Sequence, residues 1–299
     1  MHRTPLAGIE LSRYIMSYRY ALTSPPSAAQ LLTYLKQHLE LGISSCLHAD
    51  IYGDHQTQEY FGQALKRQPA LRNQIELIVQ VGLCMPGNKG YDVAHSNTSA
   101  GHLVHRVEQS LTALATEQLE LLLLHQAEPL LQADEVAHTL QQLHQQGKVN
   151  AFGVGHFSPS QMALLQSRLE LPLVAQQLTL SPWQTEALTD GRLDYCQQHH
   201  LKPLLWAAPH DVGTSHPQTC RTQRLSAVLE KLAHEIGATH VDQVICAWLL
   251  ALPQAPLLIR HDHRLETLQS AIKAQQLLLT REQWHRLWQA HSNANVPQP

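Results

Sequence analysis

Ile75-Glu76-Leu77-Ile78-Val79-Gln80-Val81-Gly82 is an almost unbroken apolar run of strand length. A strand wetted on one face alternates apolar and polar residues; one without that alternation is buried on both faces and belongs to a parallel sheet covered by helices. Toward the N-terminus, Gly42 stops a helix that begins after the turn Ser24-Pro25-Pro26-Ser27, and Ser44 to Ala49 forms another short apolar strand. A strand over Ser12 to Tyr18 precedes them, behind a short N-terminal arm. Toward the C-terminus, further strands are expected at Glu120 to His125, Ala151 to Val154, Val174 to Leu178, Pro203 to Ala207 and Leu257 to Ile259.

Helices alternate with them over Gln58 to Lys66, Ser99 to Leu114, Ala133 to Gln146, Pro159 to Arg168, Glu186 to His199, Gln223 to Leu252 with a break at Gly237, and Arg264 to Ala274. Eight strand-helix units without consecutive strands imply an α/β chain folded as a single (β/α)8 TIM barrel over residues 1–299, with a helical C-terminal tail over about 280–299. An open doubly wound sheet is the rival. Its Gly-rich turn after the first strand is absent, because Ser17-Tyr18-Arg19-Tyr20 occupies that place.

Composition narrows the function. A chain of 299 residues, 43% hydrophobic, buries enough surface to need no metal or disulfide staple. A formal net charge of -3 with no basic stripe argues against nucleic acid, and no apolar run approaches the about 20 residues of a membrane span. Five dispersed cysteines, none in a C-x-x-C pair, and an N-terminus without a signal-peptide core point to a cytoplasmic protein. The 21 histidines sit mostly among glutamines on amphipathic helices; neither His102 with His105 nor His261-Asp262-His263 makes a specific metal-ligand set, so no metal is expected.

Working residues of such a barrel lie at the C-terminal ends of its strands. That rule nominates Tyr52, Gly82, His125, Gly155-His156, Gln177, Trp206 and Arg260 to Arg264. The segment His48-Ala49-Asp50-Ile51-Tyr52-Gly53 with Phe61-Gly62-Gln63-Ala64-Leu65, the strand Leu121 to His125, and Gly147-Lys148-Val149 leading to Phe152-Gly153-Val154 resemble the aldo/keto reductase superfamily, closest to its bacterial D-H-A-D-I-Y-G branch. The resemblance runs from about Leu11 to Gln289. It implies NADPH bound at the C-terminal face and hydride transfer to an aldehyde or ketone. It also implies a tetrad: a proton-donating Tyr, a substrate-orienting His, and a Lys paired to an Asp that supports the developing phenolate.

Carried onto this chain, the Tyr is Tyr52 and the His is His125, while Leu47 and Gln80 stand where the Asp and Lys are expected. Asp50 matches a different, non-catalytic position. Losing such electrostatic support typically slows a reaction about 10²- to 10³-fold. The two losses fit each other, since removing one partner of a buried ion pair costs about 3–5 kcal/mol whereas replacing both with uncharged groups can be neutral.

On the cofactor side, the resemblance assigns Gln177 to the nicotinamide carboxamide and Trp206 to stacking on its ring. The Ser-Asn pair that shares this task is replaced by Gly155-His156. At the adenosine phosphate, Asp262 and Thr267 take the serine and arginine positions, and Arg260 and Arg264 flank them as the remaining cations. Three readings follow. The chain is a reductase-fold protein with impaired or lost NADPH-dependent activity and weakened cofactor binding; or an active NADPH-dependent aldehyde or ketone oxidoreductase relying on Tyr52 and His125; or a cofactor-free acid/base site built on that pair. In each the partner is a small-molecule carbonyl compound or other pocket ligand. The loops Met85 to Thr98 and Pro209 to Thr222 carry no substrate motif, and the oligomeric state is left open.

Overall fold

Eight parallel strands close on themselves in the computed structural model, which describes residues 3–19, 26–53, 56–86, 91–206, 219–261 and 264–292. The strands are β1 (Tyr14–Ser17), β2 (Ser45–Ala49), β3 (Glu76–Val81), β4 (Leu119–Leu124), β5 (Val149–Gly155), β6 (Leu173–Thr179), β7 (Lys202–Trp206) and β8 (Leu257–Arg260). Each pairs in parallel with the strand before it, and β8 pairs with β1 to seal the ring. This is the (β/α)8 barrel expected from the alternation.

Successive side chains of a strand point to opposite faces, so the ring sorts its residues by parity. Ile15, Leu47, Ile78, Leu121, Leu123, Ala151, Ala175, Leu204, Leu257 and Ile259 share one buried apolar cluster, the barrel interior. Residues of the other parity, such as Cys46, Leu77, Val79, Leu122, Phe152 and Leu205, join the larger cluster shared with the helices. Those helices are α1 (Ala28–Glu40), α2 (Thr57–Arg67), α3 (Ala100–Ala113), α4 (Ala133–Gln145), α5 (Pro159–Gln166), α6 (Arg192–Gln198), α7 (Cys220–Ile236), α8 (Val241–Leu250), α9 (Leu265–Lys273) and α10 (Arg281–Ser292). None is long and apolar enough to cross a membrane. Gly62 permits the close approach of α2 to α3, because a Cβ there would lie 1.9 Å from the Ala113 carbonyl oxygen.

The structure departs from the sequence reading in three places. The N-terminal arm is a β-hairpin, Arg3–Leu6 against Ile9–Ser12, turned by Ala7 and Gly8, both at positive φ as a two-residue hairpin turn requires. Its Leu6, Ile9 and Leu11 belong to the interior cluster and stopper the N-terminal end of the barrel. Glu76 fastens it, accepting from Ser44 Oγ (2.7 Å), Ser45 Oγ (2.8 Å) and Arg3. The strand expected over Ser12 to Tyr18 is β1, shortened to Tyr14–Ser17 because Ser12 ends the hairpin. The helix expected over Glu186 to His199 is interrupted: a short 3-10 turn at Glu186–Leu188 gives way to α6 through Gly191, whose φ of 83° ends the helical path. The loop after β3 contains a small ladder, Leu83–Cys84 with His95–Ser96.

At the C-terminus α10 docks on the barrel through reciprocal indole contacts. Trp248 Nε1 donates to the Trp284 carbonyl (3.1 Å), Trp284 Nε1 donates to the Trp248 carbonyl (2.9 Å), and the rings stack with centroids 5.0 Å apart. Replacing Trp284 with Ala removes the stack and leaves the Trp248 carbonyl without its indole donor. The expected loss is about 3 kcal/mol of unfolding free energy, read by urea denaturation.

Behind β2, His48 is fully buried between Tyr18, stacked at 5.4 Å, and Phe61, edge-on at 4.5 Å. Burial lowers its pKa from 6.5 to about 3. The unfolded chain thus binds a proton that the folded chain refuses between those values, so stability falls as pH falls through that window, at about 1.4 kcal/mol per pH unit. Thermal unfolding followed from pH 7 down to 4 should include this contribution, and His48→Leu should reduce the slope by about that amount, leaving the part due to His125, whose pKa burial lowers to about 4.

Candidate active site

The inward parity that fills the barrel interior with apolar side chains continues to the C-terminal rim, where it delivers polar ones. Along β1 it runs Ile15, Ser17, Arg19; along β3, Ile78, Gln80; along β4, Leu121, Leu123, His125; along β6, Ala175, Gln177, Thr179; along β7, Leu204, Trp206; and along β8, Leu257, Ile259, His261. A cavity of about 340 Å³ at this rim is lined by Arg19, Gln80, His125, His156, Gln177 and Trp206, together with Tyr52 from the turn after β2. Ile51, Gly53, Met85 and Thr179 complete its wall. The structure thus brings together Tyr52, His125, His156, Gln80, Gln177 and Trp206, six of the residues singled out in the sequence.

Tyr52 is placed by its backbone. Its N–H donates to the Ala49 carbonyl (3.0 Å), and its carbonyl accepts from Thr57 Oγ1 (3.2 Å) at the start of α2. Two residues earlier, Asp50 takes a 2.6 Å bond from Arg106 Nε of α3, a buried ion pair that anchors the turn. Asp50 is therefore committed to structure. The Tyr52 side chain is 8% exposed, and burial raises the pKa of its hydroxyl, opposed by the nearby Ser17 hydroxyl and by Arg19. The Arg19 guanidinium lies over the Tyr52 ring, 5.9 Å from its centroid.

Leu47, one turn of parity below the rim on β2, is completely buried in the interior cluster. Gln80 is 1% exposed, and its Nε2 donates to Gln177 Oε1 across the mouth in a short hydrogen bond; its own Oε1 is buried without a hydrogen-bond partner. His125 is held by its backbone N–H to the Val81 carbonyl (2.8 Å), and its Nδ1 is likewise buried without a partner. Burial, reinforced by neighbouring His156, lowers its pKa to about 4, so the ring is neutral at neutral pH.

Gly155 packs tightly: a Cβ there would stand 2.3 Å from the His125 carbonyl oxygen. His156 follows at a φ of 57°, a left-handed conformation that His tolerates better than most side chains, and its N–H donates to the Gln177 carbonyl (3.0 Å). Trp206 stacks on His261, with centroids 5.5 Å apart and planes 14° from parallel.

The two arginines expected at the cofactor site do not join this cavity. Arg260 has the outward parity of β8, is fully buried, and donates through Nη1 to Asp242 Oδ1 (2.8 Å) on α8. Arg264 is exposed as the N-cap of α9, away from the rim lining. Thr267 is half-buried on α9, and Asp262 lies outside the described residues. A larger groove of about 600 Å³ runs between α2 and α3, but its buried charges, Asp50 and Arg106, neutralise each other. One rim cation escaped the sequence reading, Arg19, whereas His261 falls within the nominated stretch Arg260 to Arg264. Arg19 lies two positions beyond Ser17 and four beyond the inward Ile15, the period-two signal that could have found it.

Comparison with known proteins agrees with this architecture. The model of the aldo/keto reductase family matches residues 18–291. The chain is 39% identical over 290 residues to the oxidoreductase YdhF of Escherichia coli, covering 97% of each chain. It is 31% identical over 292 residues to a 6-dehydroglucose reductase of Agrobacterium fabrum, covering 96% of this chain and 97% of that one. Among solved structures, the glycerol dehydrogenase AKR11B4 from Gluconobacter oxydans superimposes with a TM-score of 0.82 at 22% identity, over 99% of this chain and 98% of the other. The thermostable aldo-keto reductase Tm1743, solved with the inhibitor epalrestat, gives a TM-score of 0.78 at 22% identity, over 97% of this chain and 100% of the other. With the family model spanning nearly the whole barrel and relatives above 30% identity along its length, the chain belongs to the aldo/keto reductase family.

Proposed function

We propose that this barrel retains its family's small-molecule pocket while its NADPH-dependent carbonyl reduction is impaired or lost. The observation that carries the reading is the pairing of Gln80 with Gln177 above a fully buried Leu47. Where the family resemblance calls for a Lys and an Asp, the chain has an amide and an alkyl group. Tyr52 can still donate a proton, but burial already disfavours its phenolate, and no ammonium stands at position 80 to stabilise it.

The residues that would hold the nicotinamide ring fit it poorly. Gln177 Oε1 is engaged by Gln80. Gly155 supplies no hydroxyl, and its surroundings leave no room for a Cβ. One face of Trp206 is covered by His261. At the adenosine-phosphate end, Arg260 is spent on Asp242 inside the fold. A slow reductase is the second reading, favoured by one observation: Arg19, over the Tyr52 ring, is a cation that lowers the hydroxyl's pKa from a new direction.

Tryptophan fluorescence titrated with NADPH should show no saturable quenching at micromolar concentration, and turnover of a simple aldehyde should be undetectable. Quenching at that level removes the cofactor part of the proposal, and turnover abolished by Tyr52→Phe removes the rest in favour of the slow reductase.

Stability offers a separate check on the paired replacement. Leu47→Asp alone places an unpaired carboxylate in the apolar interior and should cost about 3–5 kcal/mol in urea denaturation. Adding Gln80→Lys should recover a substantial part of that loss. Additive losses in the double variant would mean that the two positions do not face each other as a pair.

A further inference from the structure

The rim cavity has a chemistry of its own. Among its described lining residues Arg19 is a full cation, and no Asp or Glu is present. Arg19 is exposed, and among the described residues no carboxylate pairs with it. Its guanidinium is instead steadied over the face of Tyr52, a contact that engages the flat cation and leaves its N–H edge for another acceptor. That edge matches a carboxylate, which an arginine can take through two parallel hydrogen bonds.

The floor of the same cavity carries the complementary need. Gln80 Oε1, in a residue only 1% exposed, is a buried acceptor without a donor, and His125 Nδ1 beside it is a buried ring nitrogen without a partner. Unpaired buried polar atoms of this kind are costly and call for a partner, since each gives up its hydration. A ligand hydroxyl satisfies both, because it donates its one proton to the Gln80 oxygen and accepts from the imidazole when the His125 proton is on Nδ1. A cavity of about 340 Å³ suits a small molecule.

We infer that the barrel mouth binds a small hydroxy-carboxylate anion, with Arg19 holding the carboxylate at the rim and Gln80 Oε1 accepting from a ligand hydroxyl at the floor. The inference rests on the proposed reading that Gln80 has replaced the cation of the catalytic tetrad, because a cation at that position would pull the carboxylate to the floor instead. Arg19 and Gln80 then act as the specificity-determining residues: one selects for the anion, the other for the hydroxyl.

Isothermal titration calorimetry without nucleotide tests this, with glycerate as the probe, propionate as the acid lacking hydroxyls and glycerol as the polyol lacking charge. Glycerate is expected to give a saturable isotherm that weakens as salt is raised, with propionate weaker and glycerol silent. Arg19→Gln, at an exposed position where folding is not at stake, should weaken glycerate about tenfold or more and remove the salt dependence, while Arg19→Lys should keep part of the affinity. Gln80→Met should narrow the gap between glycerate and propionate.

Failure of glycerate to saturate at about 10 mM, or equal binding to wild type and Arg19→Gln, overturns the inference. Equal affinity for glycerate and propionate overturns the role of Gln80. The NADPH titration reads the impaired-reductase proposal separately: quenching there with the expected glycerate isotherms defeats only that proposal, and silence in both experiments defeats only this inference.

Discussion

Closure of the sheet is the constraint on which this molecule depends. Once eight parallel strands join in a ring, every second side chain of every strand faces a common interior of fixed size, and close packing leaves no freedom over what fills it. Leu47, Ile78, Leu121, Leu123 and Leu204 fill it here, with the N-terminal hairpin stoppering one end. The other end must expose whatever the same parity reaches next, and there the chain places Arg19, Gln80, His125, Gln177 and Trp206. The stable part of the barrel and its pocket are thus one continuous column of side chains.

That continuity explains why charge in the column is handled in pairs. A carboxylate at Leu47 would sit among leucines and isoleucines, tolerable only with a cation at hydrogen-bonding range. The pair Leu47 and Gln80 avoids the burden on both sides, and Gln80 settles part of its own polarity on Gln177. Where charges are kept inside the protein, each has its counter-charge: Asp50 with Arg106, Arg260 with Asp242. Arg19 differs because solvent reaches it at the rim, and so it can remain charged without a carboxylate of its own chain.

The neutral histidines belong to the same logic. His48 and His125 both have pKa values pushed well below 6.5, to about 3 and about 4, because their surroundings offer no compensation for a positive ring. For His48, between two aromatic rings, this bears on stability. For His125, at the cavity, it means a hydrogen-bonding group rather than a charge faces any ligand, which leaves Arg19 to set the sign of the field there.

The barrel was legible in the sequence because its signal is local: apolar strand-length runs alternating with amphipathic helices, punctuated by Gly42, Gly147 and Gly237, repeat eight times. So was the membership of Tyr52, His125, Gln177 and Trp206 in one site, since each lies at or just past the C-terminal end of a strand and all such ends meet at one rim, with Gln80 added by the family resemblance. What the sequence could not decide was direction and company. Arg260, near Arg264 in the chain, faces outward to Asp242 because parity turns it from the rim; Arg19, unremarked between Tyr18 and Tyr20, faces inward over Tyr52. The engagement of Gln177 by Gln80 and the closed space at Gly155 are contacts between strands far apart in sequence, and only ring closure brings them within reach.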